Sequence, residues 1–411
     1  MNESITVNLE ETDLSEESKK HVPPYAWIIL VVVFLAGVAA PLNQFKVPPL
    51  LPILMGDFSL SLSQGGLLMS VFALTGLILS LPSAVIIQKL GLKTTGLIAM
   101  GSVVAGALLG IYAENISMLL LSRFIEGIGM GLIAVVGPTT IAEWFPRAKQ
   151  GFPMGVWATW SSVGGLIMYN TAPRLESVAG WHSVWWFGAG FAGLAFILFA
   201  IFMRKPEHNE NLEAEAEMLH PFSGFMDTCK NLNVWLLALM FGCFVFVFSA
   251  FASFLPTFLS EEKGFSLQAA ALVASLPTIV NLGTGPFAGW FSDRIGSRKL
   301  IYSIPFSIIA VLFIFPFHLS GALIPYLLIL MGFMLGAIPT AIFASVPEVI
   351  KNNQKTSIGI GVLILGQNLG MFLGPVFFGS LVEATNWIVA GYMLVPVCVL
   401  GVVAGLFVNV R

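Results

Sequence analysis

The chain has 411 residues, of which 57% are hydrophobic and only 10% charged, with a formal net charge of −3 and a mean hydropathy of +0.89. Soluble domains average roughly 25% charged residues, so water is excluded as the main solvent, and the lack of a basic surplus excludes nucleic acid as a partner. Cys229, Cys243 and Cys398 share no paired or metal-finger spacing, which excludes a disulfide framework and a cysteine metal site.

The chain opens on residues 1–24, where Glu3, Glu10, Glu11, Asp13, Glu16 and Glu17 precede the first apolar run. That is the reverse of a basic signal-peptide n-region, and the segment reads as a disordered cytoplasmic tail. A helix needs about 20 apolar residues to cross a hydrocarbon core of ~30 Å, because each backbone polar group must be paired within the segment. Stretches of that kind lie near 25–54, 63–88, 94–112, 117–142, 151–172 and 182–203, and again near 233–259, 268–290, 299–318, 322–346, 355–382 and 386–408. The first is punctuated by Pro41, Pro48, Pro49 and Pro52, so a kink or an early stop is expected there. Between the sixth and seventh stretches runs the longest polar interruption, 204–232, which reads as a cytoplasmic linker. The expected fold is therefore an all-α integral membrane protein of twelve transmembrane helices. An N-terminal six-helix bundle covers 25–203 and a C-terminal one 233–411.

Charge placement orients the bundle. Of the 19 lysines and arginines, only Arg174 and Lys263 fall on outside loops and only Lys46 and Arg123 within spans. The positive-inside rule then puts both termini in the cytoplasm and the protein in the plasma membrane, the cell inner membrane, as a multi-pass chain with the lipid bilayer as its partner. Shifting the sequence by 205 positions lays LSLSQGGLLMS (60–70) on FSLQAAALVAS (265–275) and QKLGLK (88–93) on DRIGSR (293–298). These pairs fall at equivalent topological positions, which reads as an internal duplication into pseudo-symmetric halves.

GWFSDRIGSRK at 289–299, between spans eight and nine, resembles the loop signature of the major facilitator superfamily, and RFIEGIGMG at 123–131 resembles its fourth-span pattern. The resemblance covers nearly the whole chain. It implies two bundles rocking about a central site, with alternating access for a solute driven by an existing gradient. It also implies a gating role for Gly289, Asp293, Arg294, Gly296 and Arg298. Asp293 is expected at a neighbouring helix N-terminus or basic group, and Arg298 is expected to pair across the same loop. LNQFKVPPLLP (42–52) is similar to the first span of the cyanate and nitroimidazole porter branch and its organic-anion relatives. The first-half copy of the loop has Gln88 where Asp293 stands in the second, and span five lacks the proline of the drug/proton antiporter pattern.

An ionisable side chain inside the bilayer costs ~2.5–3.5 kcal/mol on insertion scales, so each one is a functional candidate. Lys46, Arg123 and Glu126 are the candidates here. Counted along their helices at 1.5 Å per residue, Lys46 and Arg123 lie at one depth in spans that line the cavity in this superfamily, an arrangement suited to an anion. Lys46 has a second reading, in which the helix stops at Pro48 and the ammonium snorkels outward. Arg123 and Glu126 are spaced i, i+3 and can neutralise each other as a structural or gating pair; the other reading gives Arg123 a part in substrate or proton handling. Glu126 is the one carboxylate of the 22 acidic residues well inside a span, which makes it the leading proton carrier. Asn43, Gln44, Trp157, Trp160 and Tyr169 can complete a substrate site in the first half, with Asn170 beside them. From the second half, Asn281, Gln367 and Asn368 can join; the alternative for all of them is helix-packing glue. The phenylalanine-rich stretch 241–254 reads as lipid-facing surface and bundle packing rather than a pocket, with one face of that span expected to reach the cavity.

No catalytic constellation, phosphate loop or metal spacing occurs, so neither an enzyme nor a cofactor is expected. The expected function is symport of a small organic anion, carboxylate-like, with protons, by a monomer. The alternative is export of a small hydrophobic or amphiphilic compound, with Lys46 snorkelling and Arg123–Glu126 as a structural pair.

Overall fold

The computed structural model describes residues 22–80, 82–146, 149–206, 230–295, 297–319, 321, 323–350 and 353–410. Most of the expected tail, most of the expected linker and Gly296 lie outside the described residues, as do the side chains at positions 289 and 293. The described residues form helices and no strand.

Proline placement and caps divide the chain. The first span is α1 (Pro24–Gln44) and α2 (Val47–Phe58), separated by a turn at Phe45 and Lys46. Pro48 and Pro49 have no N–H to bond the carbonyls four residues back, which explains the break. Ser61 and Gln64 then form a reciprocal capping box that starts α3 (Leu62–Leu79). Next comes α4 (Pro82–Ile111), interrupted at Gly91, whose φ of 77° and ψ of 163° divide the end of span two from span three. That backbone region is open to glycine, which is the reason a glycine stands in QKLGLK. The Asn115 side chain accepts from Met118 N at 2.9 Å and opens α5 (Ile116–Trp144). Span five is α6 (Gly151–Ala158) and α7 (Trp160–Ala179), and span six is α8 (Trp181–Phe202).

The second half runs through α9 (Leu232–Glu261), α10 (Leu267–Ile295), α11 (Arg298–Leu312), α12 (Leu323–Leu335), α13 (Ala337–Ile350), α14 (Asn353–Ala384) and α15 (Trp387–Phe407). α12 and α13 together make span ten. Among the described residues ten spans, with α1–α2 and α12–α13 each counted as one, are long and apolar enough to cross a bilayer by themselves. The other two of the twelve are span five, broken at Thr159, and α11, which has 15 residues.

The halves repeat each other's contacts. Tyr25 at the start of α1 donates to the Phe202 carbonyl at the end of α8 (2.7 Å), and Asn233 at the start of α9 accepts from Asn409 N just beyond α15 (2.8 Å). Across the halves α3 packs on α14 and α7 on α10, and exchanging the halves converts one pair into the other. On the face opposite the termini, the Glu383 carboxylate accepts from Ser63 N (3.2 Å) and the Ser63 and Ser380 hydroxyls share a hydrogen bond (2.8 Å). The outer flank of the bundle is apolar; Leu194, Ile197 and Ile201 of α8 are all exposed, as lipid contact requires.

The phenylalanine-rich stretch meets the bundle-packing part of the expectation and departs from the lipid-facing part. Phe241, Phe244, Phe251 and Phe254 are buried in the apolar core that joins the two halves. The first three stack edge-on against Phe343, Phe306 and Phe313 of neighbouring helices, respectively. Ring edges and faces of opposite charge make such contacts favourable, so α9 turns its aromatic face inward rather than to lipid.

Candidate functional site

The break between α1 and α2 builds the site. In an unbroken helix the Gln44 carbonyl would accept from residue 48, but that residue is proline and has no N–H. Arg123 of α5 supplies the missing donors: Nη2 donates to the Gln44 carbonyl at 2.9 Å and Nη1 to the Asn43 carbonyl at 2.7 Å. The same Nη1 lies 2.5 Å from Glu126 Oε2, and the other carboxylate oxygen of Glu126 is paired with Lys46 Nζ. Lys46 also donates to Asn43 Oδ1 at 3.2 Å. All three ionisable residues are at 0% exposure. Lys46 therefore does not snorkel; it turns into the first half between α5 and α8.

Aromatic faces complete the enclosure. The Lys46 ammonium sits 4.4 Å from the centre of the Trp185 ring and the Arg123 guanidinium 4.6 Å from that of Phe72; cations are attracted to such faces. Asn43 is fixed by donating to the Ala39 carbonyl (2.9 Å) and the Gly188 carbonyl (3.2 Å). A Cβ on Gly188 would stand 2.3 Å from Asn43 Oδ1. Gly188→Ala is therefore expected to push Asn43 off Lys46 and to cost about 1–3 kcal/mol, measured as a fall in melting temperature of the detergent-solubilised carrier. An unchanged melting temperature would show that Asn43 moves freely.

A second feature lies on the other side of the break. Gln44, Phe45 and Pro48 line a cavity of about 50 Å³ between the halves, with Met69 of α3, Tyr169 of α7, Phe248, Ser249, Ala252 and Ser253 of α9, and Met371 and Pro375 of α14. Gln44 reaches across it, Nε2 lying 3.6 Å from Met371 Sδ. Tyr169 donates to the Ala252 carbonyl in the other half at 2.9 Å. The ion cluster thus backs the cavity wall while its own side chains face the interior of the first half.

The structure brings Lys46, Arg123, Glu126, Asn43 and Gln44 together, with Tyr169 across the cavity. Trp157 and Trp160 stack on each other at 4.9 Å where span five breaks, and Trp157 fills the space over Gly37 and Gly137. Asn170 bonds back to the Leu166 carbonyl (2.8 Å), and Asn368 packs against Gly76 of α3. Asn281 and Gln367 are half-buried in α10 and α14, outside the cavity lining. Of the expected gate, Arg298 pairs with Glu348 of α13 at 3.3 Å, and Arg294 is exposed at the end of α10. Trp185, Phe72 and Met371 belong to the site and escaped the sequence, since no charge or motif marks them among the chain's aromatics and methionines.

Twelve spanning helices in two related halves, with an ion cluster buried behind a cavity at their junction, define a membrane transporter. The family model described as Major Facilitator Superfamily matches residues 33–360 and again 284–411, and the chain belongs to that superfamily. It is similar to the probable sulfoacetate transporter SauU of Cupriavidus necator, at 25% identity over 93% of each chain. It is also similar to the hexuronate transporter of Bacillus subtilis, at 23% identity over 89% of this chain and 90% of that one. The crystal structure of a D-xylose–proton symporter shares the fold with a TM-score of 0.74, at 19% identity over 94% of this chain and 97% of that one. The protein is a multi-pass plasma-membrane transporter and not an enzyme.

Proposed function

We propose that the chain moves a small organic anion of the carboxylate class across the cytoplasmic membrane by alternating access, in symport with a proton. The observation that carries this reading is the charge of the cluster. Two cations and one carboxylate at zero exposure leave one formal positive charge inside the bundle, and an uncompensated buried charge costs several kcal/mol. A monoanion in the cavity beside Gln44, Phe45 and Pro48 compensates it. A proton on Glu126 frees Lys46 from its partner and adds to the positive field, so proton and anion favour each other's binding. The names of the two relatives support the class, since sulfoacetate and hexuronate are both organic anions.

Both termini are cytoplasmic in this reading, the bundles at 25–203 and 233–411, joined by the linker 204–232, rock about the central site, and the monomer is the working unit. The loop carrying Gly289, Asp293, Arg294, Gly296 and Arg298 acts as the gate, and the Arg298–Glu348 contact between α11 and α13 supports that role. A thermal-shift series on the purified carrier tests the substrate class. A ligand at 100 times its Kd adds ~2.7 kcal/mol if it binds only the folded state. Carboxylates are expected to stabilise the carrier and hydrophobic cations are not; stabilisation by the cations alone would sink the anion reading.

A further inference from the structure

An anion in the cavity between the halves has to find hydrogen-bond donors on a wall whose described residues include no charged side chain. A carboxylate only accepts, so an oxygen left without a donor loses its water uncompensated. Most of the hydrogens on that wall are committed within the protein. The Tyr169 hydroxyl donates to the Ala252 carbonyl at 2.9 Å and Ser249 Oγ to the Phe246 carbonyl at 3.2 Å. Gln44 Nε2 is turned to Met371 Sδ at 3.6 Å.

Ser253 differs. A serine or threonine within a helix can bond back to a carbonyl one turn earlier, and Thr139, Thr140, Thr171 and Ser345 all do so here. Ser253 lines the cavity, is only 8% exposed, and has no hydrogen-bond partner among the described residues. The hydroxyls of Ser70, Thr257 and Ser303 are unbonded as well, but none of those three residues lines the cavity.

The backbone fixes α9 at this point. Pro256 stands four residues after Ala252 and has no N–H to offer its carbonyl, which leaves that carbonyl to Tyr169 of the first half. Ser253 is the next residue, so the tie between the halves and the uncommitted hydroxyl share one turn of α9.

We infer that Ser253 is the second half's ligand to the substrate, donating its hydroxyl hydrogen to a carboxylate oxygen of the anion. The inference rests on the anion reading above and adds the residue through which the second half holds the substrate. The first half contributes the field of the buried cluster of Lys46, Arg123 and Glu126; Ser253 contributes a directional bond. An anion held in this way touches both halves, which ties its binding to their relative movement.

Thermal-shift titrations of the full chain in detergent, with acetate, lactate, benzoate and glucuronate as probes, test it by comparing Kd in the unaltered and Ser253→Ala carriers. The acid that stabilises the unaltered carrier most is expected to bind Ser253→Ala roughly ten-fold or more weakly, the scale of one hydrogen bond to a charged group. The ligand-free melting temperature is expected to stay level or rise, because alanine loses no bond and removes a polar group from an apolar wall. Ser253→Cys, whose thiol is a weak donor, is expected to fall between the two in affinity. An unchanged Kd in Ser253→Ala would overturn the inference and leave the anion reading standing. A lower ligand-free melting temperature would also overturn it, by assigning the hydroxyl to packing. If none of the four acids stabilises the unaltered carrier, the anion reading falls and this inference falls with it.

Discussion

Lys46→Ala is expected to abolish anion uptake in a carrier that still folds, while Lys46→Arg keeps part of it. Removing Lys46 leaves Arg123 bonded to Glu126 and to the carbonyls of Asn43 and Gln44. That remainder is neutral and hydrogen-bonded, so no lone buried charge is created and the bundle keeps its ties. What disappears is the positive charge that an anion in the cavity compensates. Truncating one member of a buried charge pair costs about 2–5 kcal/mol of binding, a loss of roughly thirty-fold or more in uptake at limiting substrate. Arginine restores the charge and also lies well on an aromatic face, here that of Trp185, but its planar fork cannot reproduce the compact ammonium between Asn43 and Glu126. Lys46→Met separates charge from volume and is expected to behave like alanine. Equal uptake by the alanine, methionine and unaltered carriers, measured at matched reconstitution, would show that Lys46 takes no part in recognising the anion.

Much of the fold was legible because crossing a bilayer imposes length and apolarity on each span. The exceptions have local causes. Span five bends at Thr159, and α11 reaches only 15 residues. The ion cluster was legible in part, since charges stand out in an apolar chain and helix counting placed Lys46 and Arg123 at one depth. The i, i+3 spacing also gave the Arg123–Glu126 pair, but not the pairing of Lys46 with Glu126 or of Arg123 with the carbonyls at the break. Carrying a straight helix through Phe45 and Lys46 gives the wrong phase for the lysine, because the turn there is set by two prolines and by the Arg123 donors from another helix. The same uncertainty of phase explains why Asn43 and Gln44 join the site while Asn170, the next residue after the cavity's Tyr169, bonds to its own helix. Phe248 is another instance: its neighbours on α9 pack into the core, and only the three-dimensional turn of that helix shows which ring reaches the cavity.

Arg123→Ala is expected to damage the fold more than Lys46→Ala, although both remove one cation from the same cluster. The lysine's contacts are to side chains alone, Asn43 and Glu126, whereas the arginine also supplies donors to two backbone carbonyls at the α1–α2 break. Deleting it leaves those carbonyls buried, at about 1–3 kcal/mol for each unsatisfied group, so a total of about 2–6 kcal/mol is expected from the pair. Arg123→Lys recovers the charge but not the fork that reaches both carbonyls, and is expected to recover little of the loss. The mechanism makes a further demand. Pro48→Ala returns an N–H four residues beyond Gln44, giving its carbonyl a donor from within the helix once the break straightens. Arg123→Ala should therefore cost less in the Pro48→Ala background than in the unaltered chain, and a double-mutant cycle on melting temperature reads that difference as a coupling between the two positions. Additive effects at 48 and 123 would mean that Arg123 holds the bundle through Glu126 alone, and that the broken helix finds its donors elsewhere.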